Sequence, residues 1–222
     1  ENKMKNHFSY FKQVFGISHF LIKETQLVIS MNDTPLLLGV NVHKFNSKIA
    51  QKLSSIVFVG GLIKRKRVDE FLQLAELYPQ ITFNIIGNGP EKDNLEENAS
   101  SNVVFHGFLS HDKMNAIFQQ SELMFIPAKS EGFPKVILES ASAGIPSIVY
   151  STYGASNWMK HRGNGFIVND FDEVKGVVNE LLNDSKLLQS ISENTKELAN
   201  GYNWENVIKD WEKVIVNLYN EK

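Results

Sequence analysis

A chain of 222 residues with 42% hydrophobic and 22% charged side chains is long enough to bury its own core, and this balance excludes disordered and fibrous classes. The net charge of -2 offers no overall basic field to nucleic acid or anionic lipid, and the absence of cysteine excludes disulfides and thiolate metal sites. No apolar run approaches the roughly 18 to 20 residues that span a bilayer, and no signal-peptide pattern opens the chain, so a soluble cytoplasmic protein is expected. The chain opens at Glu1 in a stretch that reads as the interior of something longer, which leads us to expect a fragment.

Residues 8–23 carry helical spacing, residues 27–30 form a short apolar run expected as a strand, and a loop then ends in Leu38-Gly39-Val40-Asn41. Residues 1–50 thus read as a remnant of a preceding domain and a linker. From residue 54 onward, short β-branched or aromatic runs alternate with amphipathic segments, the mark of repeated βα units on a parallel sheet. Strands are expected over residues 56–60, 82–87, 103–106, 123–127, 147–150 and 165–168. Val68, Phe71, Leu72 and Ala75 recur at helical spacing between the first two. Ser110 is placed to N-cap a helix carrying Met114, Ile117 and Phe118. Residues 171–220 show helical periodicity, broken near Asp184 and at Gly201-Tyr202-Asn203. The expected architecture is a Rossmann-like, doubly wound α/β domain over residues 51–201 with a helical tail over residues 202–222.

In open parallel sheets, ligands bind beyond the carboxyl ends of the strands. Three loops there have unusual composition. Gly60-Gly61-Leu62-Ile63-Lys64-Arg65-Lys66 joins two glycines to a basic run at a helix start, which suits a diphosphate. Such a run alone would more often be a solvated cluster; its place at a strand end reverses that preference. Gly87-Asn88-Gly89-Pro90 marks a sharp turn with proline in the first turn of a helix, and alone says no more. In Ser130-Glu131-Gly132-Phe133-Pro134-Lys135, proline again fits a first helical turn, leaving the amides of Lys135, Val136 and Ile137 free to face a phosphate. Glu131 stays in the loop and Glu139 follows about a turn and a half into the helix. One carboxylate can reach a sugar's hydroxyls and the other a ribose's; spacing alone would favour two surface glutamates.

Residues 131–149, Glu-Gly-Phe-Pro-Lys-Val-Ile-Leu-Glu-Ser-Ala-Ser-Ala-Gly-Ile-Pro-Ser-Ile-Val, resemble the E-x7-E motif of the retaining GT-B glycosyltransferases of group 1, also called family 4. The same order holds for Phe58-Val59-Gly60-Gly61-Leu62 with Lys66, Ile85-Ile86-Gly87-Asn88-Gly89-Pro90, Phe105-His106-Gly107-Phe108-Leu109 and Tyr202-Asn203-Trp204-Glu205. Leu38-Gly39-Val40-Asn41 to Phe45 resembles the interdomain segment, so the resemblance covers residues 36–219. It implies the C-terminal, donor-binding half of a two-domain enzyme, whose final helix packs back toward the N-terminal domain.

Carried over, the resemblance implies that Glu139 holds the ribose, Glu131 contacts the donor hexose and Lys66 contacts the diphosphate, aided by the amides of Phe133, Lys135 and Val136. Gly60, Gly61, Gly87, Asn88 and Gly89 would line the donor, with Gly107, Phe108 and Leu109 near the base. The family's usual arginine is replaced by Gly61, and the glycine that follows the lysine is Arg67; Arg65 is the candidate replacement cation. Glu131, Lys66 and Arg65 therefore carry the catalytic expectation.

The implied donor is a nucleotide-diphosphate sugar, UDP-linked by expectation, with no cofactor and no metal, because His106, His111 and His161 lack ligand spacing. The acceptor, a glycan or lipid-linked glycan of cell-surface polysaccharide synthesis, would belong to the preceding domain, as would any peripheral association with the inner face of the membrane. A nucleic-acid partner is not expected. Trp204 and Trp211 are expected to pack the terminal helices, and Tyr153-Gly154-Ala155 fits either a donor contact or a plain turn. A non-catalytic sugar-nucleotide-binding subunit and a sugar-nucleotide epimerase or phosphorylase of the same architecture are the alternatives.

Overall fold

The computed structural model describes residue 11 and residues 13–220. Six parallel strands form one sheet: β1 (Ser55–Val59), β2 (Thr82–Ile86), β3 (Val103–Gly107), β4 (Leu123–Ile126), β5 (Ser147–Tyr150) and β6 (Phe166–Val168), in the order β3-β2-β1-β4-β5-β6. From the central β1 the chain winds outward through β2 and β3, then returns to the other side of β1 to lay down β4, β5 and β6. The sheet is Rossmann-like and doubly wound, with its topological switch between β1 and β4.

Sheets of this type are covered on both faces, so their strands are apolar without alternation. β4 and β5 are buried at every position. Helix α2 (Val68–Leu77) buries Val68, Phe71, Leu72 and Ala75 against the sheet, the positions that the spacing marks. Phe71 lies 5.2 Å from Phe83, 6.0 Å from Phe58 and 6.4 Å from Phe125 between ring centroids, at the middle of the core. Truncating such a residue to alanine costs about 3 to 5 kcal/mol.

The remaining helices are α1 (His19–Gln26), α3 (Lys92–Glu97), α4 (His111–Gln119), α5 (Lys135–Ser142), α6 (Phe171–Asn183), α7 (Ser185–Gly201) and α8 (Trp204–Asn220). Asp184 caps α7 by accepting from the Leu187 amide, which explains the break read at that position. Trp204 packs against Gly39, and the Trp211 indole donates to the Leu37 carbonyl at 2.9 Å, fastening α8 to the incoming chain. Phe45 and Ala50 of that chain enter the main core.

Four local expectations need correction. Residues 8–10 and 12 of the expected first helix lie outside the described residues; in the remainder the helix begins only at His19, because Ser18 accepts from the Leu21 amide and ends the non-helical approach. Residues 27–30 form no strand: Val28 and Ile29 donate to the Thr25 carbonyl in a continuing turn, and Ile29 is buried by packing rather than pairing. Pro90 lies in the turn before α3, whose N-cap is Glu91. Ser110 occupies the N-cap of α4 with extended backbone, yet its hydroxyl makes no capping bond.

Candidate functional site

A cavity of about 650 Å³ opens at the carboxyl ends of the strands, at the switch point where such sheets bind ligands. Val59, Gly60, Gly61 and Lys66 contribute after β1, Ile86, Gly87 and Asn88 after β2, and Phe108, Leu109, Ser110, His111 and Met114 after β3. Glu131, Phe133, Pro134, Lys135, Val136 and Glu139 complete the wall after β4.

The first two loops are lashed together beyond their strands. The Gly60 amide donates to the Ile86 carbonyl and the Leu62 amide to the Asn88 carbonyl, both at 3.0 Å, while the Gly87 amide donates to Gly107 at 2.9 Å. Gly87 has φ +151, and a Cβ on it would lie 1.8 Å from the Gly60 oxygen, so only glycine lets these backbones cross.

The basic run divides by direction. Lys64–Lys66 is a 3-10 turn. Lys66 reaches the cavity and forms an ion pair with Glu131, and Arg65 donates to the Ser130 carbonyl with its guanidinium 3.5 Å from the same carboxylate. Arg67 takes left-handed backbone, φ 52 and ψ 44, at the position where the family pattern has glycine. Its side chain pairs with buried Glu70, which also accepts from the Tyr150 hydroxyl at 2.7 Å. Burial first, then that hydrogen bond to Glu70, pushes the Tyr150 pKa up. Arg67 therefore serves the fold.

Helix α5 aims its N-terminus at the cavity, with Pro134 as N-cap. The Ile137 amide, expected to be free, donates to the Pro134 carbonyl at 2.9 Å, because the first turn tightens. No hydrogen bond among the described residues occupies the Lys135 and Val136 amides, which leaves two donors and the helix dipole for an anion. Phe133 packs behind this corner against Trp158 and Tyr202, with centroids at 5.5 and 5.6 Å.

Twelve of the fifteen expected site residues line the cavity: Gly60, Gly61, Lys66, Gly87, Asn88, Phe108, Leu109, Glu131, Phe133, Lys135, Val136 and Glu139. Arg65, Gly89 and Gly107 stand behind it. Arg65 is held at Ser130, Gly89 backs onto the Leu62 backbone, and the Gly107 carbonyl accepts from the Gly87 amide. His111 is the residue that spacing arguments passed over: its Nε2 lies 3.7 Å from a Glu139 oxygen and its ring 6.0 Å from that of Phe45. As the first residue of α4 it follows a strand end, a signal that could have found it. No group of three or more His, Asp or Glu able to hold a metal ion occurs among the described residues.

Residues 40–198 match the family model described as Glycosyl transferases group 1. The chain belongs to that family. This group 1 glycosyl transferase chain is 29% identical over 170 residues to the alpha-galactosylglucosyldiacylglycerol synthase of Streptococcus pneumoniae, covering 70% of this chain and 44% of that protein. It is 27% identical over 201 residues to the UDP-Gal:alpha-D-GlcNAc-diphosphoundecaprenol alpha-1,3-galactosyltransferase of Escherichia coli, covering 79% and 51% respectively. Among solved structures, Anabaena HepE in complex with UDP and glucose superposes with a TM-score of 0.85 at 17% identity, over 97% of this chain and 66% of that chain; this likeness is one of fold. The chain spans about half the length of the curated relatives it matches.

Proposed function

We propose that this chain forms the donor-binding half of a retaining hexosyltransferase that takes a UDP-sugar and passes the sugar to a glycan or lipid-linked acceptor in cell-surface polysaccharide synthesis. The observation that carries the proposal is the convergence of Lys66, Glu131, Glu139 and the N-terminus of α5 on one cavity at the switch point. In this reading Glu139 binds the ribose hydroxyls and Glu131 the hexose hydroxyls, with the diphosphate between them at Lys66 and the Lys135 and Val136 amides. Phe108, 86% exposed at the rim, and Leu109 stand nearest the base.

Transfer breaks the bond between the anomeric carbon and the diphosphate and forms one to an acceptor oxygen. Negative charge grows on the departing diphosphate, where Lys66, Arg65 and two preorganised amides stabilise it. These positive groups account for diphosphate binding without a metal ion or other cofactor. One named relative is the synthase of a glycolipid and the other a galactosyltransferase acting on diphosphoundecaprenol-linked GlcNAc, which supports a lipid-linked acceptor. Such an acceptor would be met through the other half of the relatives' length, at the inner face of the membrane, by a cytoplasmic enzyme.

Titration calorimetry of the 222-residue chain with UDP and a panel of UDP-hexoses in EDTA tests the reading. Binding in EDTA, with one UDP-hexose preferred, is the expected result. Binding that vanishes on chelation, or no binding of any nucleoside diphosphate, would overturn it.

A further inference from the structure

A second cavity, of about 600 Å³, lies between the loop joining β5 to β6 and the C-terminal half of α7. Its volume is within the range of small-molecule sites, about 300 to 1,000 Å³. Trp158 and Tyr202 line it, and both rings also pack on Phe133, which lines the first cavity. Phe133 therefore stands between the two cavities, which share no lining residue.

Among the described residues, no hydrogen bond engages the Trp158 indole N–H or the Tyr202 hydroxyl, yet neither atom is a sealed orphan, so both are open to solvent. The Asn194 amide nitrogen donates to the Gly163 carbonyl at 3.0 Å, and the Asn164 side-chain oxygen accepts from the Lys160 amide at 2.8 Å. Each of these side-chain amides uses one end to hold the loop, which leaves Asn194 Oδ1 as an acceptor and Asn164 Nδ2 as a donor. The loop is fixed at a further point. Arg162 takes left-handed backbone, φ 59, and pairs through both guanidinium nitrogens with Glu180 of α6, each at 2.6 Å.

This inventory selects a class of ligand. Donors and acceptors are mixed, as hydroxyl groups need, because each hydroxyl both donates and accepts. Two aromatic rings with polar tips offer apolar area beside those groups, which matches a sugar ring with its C–H face and its rim of hydroxyls. Lys160 and Glu197, the charged residues of the lining, cancel formally, so nothing here selects a phosphate.

We propose that this second cavity binds an uncharged saccharide. In naming its source the inference rests on the glycosyl-transfer reading: the saccharide is part of the glycan acceptor. Because Phe133 separates it from the donor cavity, the bound sugar does not react; it tethers the acceptor to this half of the enzyme.

The test is a titration of the isotope-labelled 222-residue chain with maltose, lactose and N-acetylglucosamine, followed by NMR at the assigned Trp158 indole N–H. At least one of these sugars should shift that signal saturably. The shift should persist in Glu131→Ala, where the proposed hexose contact of the donor cavity is gone. Tyr202→Phe removes one hydroxyl and Glu197→Ala one exposed carboxylate, and neither group has a protein hydrogen bond to lose among the described residues. In both variants the melting temperature and the UDP affinity should be unchanged, while saccharide affinity should fall about threefold to tenfold. A signal that no sugar moves would overturn the inference. So would a shift lost in Glu131→Ala, which would put the sugar in the donor cavity, or wild-type saccharide affinity in both Tyr202→Phe and Glu197→Ala. Saccharide binding by a chain that binds no UDP would overturn the donor reading and leave this site standing; UDP binding with an unmoved Trp158 signal would overturn this site alone.

Discussion

Lys66 and Glu131, from loops that follow β1 and β4, are ion-paired across the switch point of the sheet, with side-chain exposures of 17% and 9%. The group proposed to hold diphosphate is thus neutralised by the group proposed to hold sugar. Glu131→Ala should therefore leave UDP affinity equal to or above that of the wild type, since the ammonium no longer has to leave a carboxylate. The same variant should abolish the gain in affinity that a cognate UDP-sugar has over UDP. Calorimetry with both ligands checks it; equal weakening of UDP and UDP-sugar would remove Glu131 from the hexose.

Glu139 lies deeper on α5, its carboxylate near His111, and should act on the nucleoside part. Glu139→Ala is expected to weaken UDP, UDP-sugar and uridine alike, by about 1 to 3 kcal/mol. Uridine is the informative ligand, since it lacks phosphate. A variant that weakens UDP but not uridine would move Glu139 away from the ribose.

Gly87 sets how closely the first two loops cross. Gly87→Ala would place a methyl group 1.8 Å from the Gly60 oxygen, so one backbone must give way. Stability should fall by at least about 1 kcal/mol, and UDP affinity should fall with it because Gly60 and Asn88 line the cavity. Chemical denaturation and calorimetry together check this; a variant of wild-type stability would show that the loops have slack.

His106 is set to make stability fall in mild acid. Burial lowers its pKa, and its Nε2 meets Asn84 Oδ1 at 2.7 Å while the Asn84 amide nitrogen donates to Ser55, an arrangement the neutral ring already satisfies. The unfolded chain then binds the proton more readily than the folded one. Stability is complete above the unfolded value of about 6.5 and falls as pH drops below it toward the lower folded value. Melting temperatures of the wild type and His106→Gln between about pH 7.5 and 5 should converge as pH falls. Parallel curves would show that this histidine is not the sensor.

The sheet was legible because buried parallel strands are continuous apolar runs, and β1, β2, β4 and β5 carry little else. Loop composition marked the Gly60, Gly87 and Glu131 loops because glycine and proline report backbone geometry directly. Side-chain direction was not legible. Four consecutive cations look alike in sequence, yet Lys66 enters the cavity, Arg65 is held at Ser130 and Arg67 turns to Glu70 through left-handed backbone. Residues 27–30 misled for a related reason: an apolar run signals burial, and burial alone does not choose between pairing and packing.

The division of that basic run leads to the last prediction, which separates Lys66 from Arg65. Lys66 lines the cavity with its side chain 17% exposed, whereas the Arg65 side chain is 51% exposed and outside the wall. A hydrogen bond from a partly buried ammonium to phosphate is worth about 1.5 to 3 kcal/mol, while an exposed cation contributes at most about 1 kcal/mol and is screened by salt. Lys66→Ala should therefore weaken UDP binding by roughly tenfold or more and leave uridine binding nearly unchanged. Arg65→Ala should weaken UDP by less than about fivefold, and the loss should shrink as ionic strength rises. Calorimetry of each variant with UDP and uridine at low and high salt decides it. If Arg65→Ala costs as much as Lys66→Ala, the guanidinium leaves Ser130 for the diphosphate on binding. If Lys66→Ala weakens uridine as much as UDP, the lysine supports the loop rather than the phosphates.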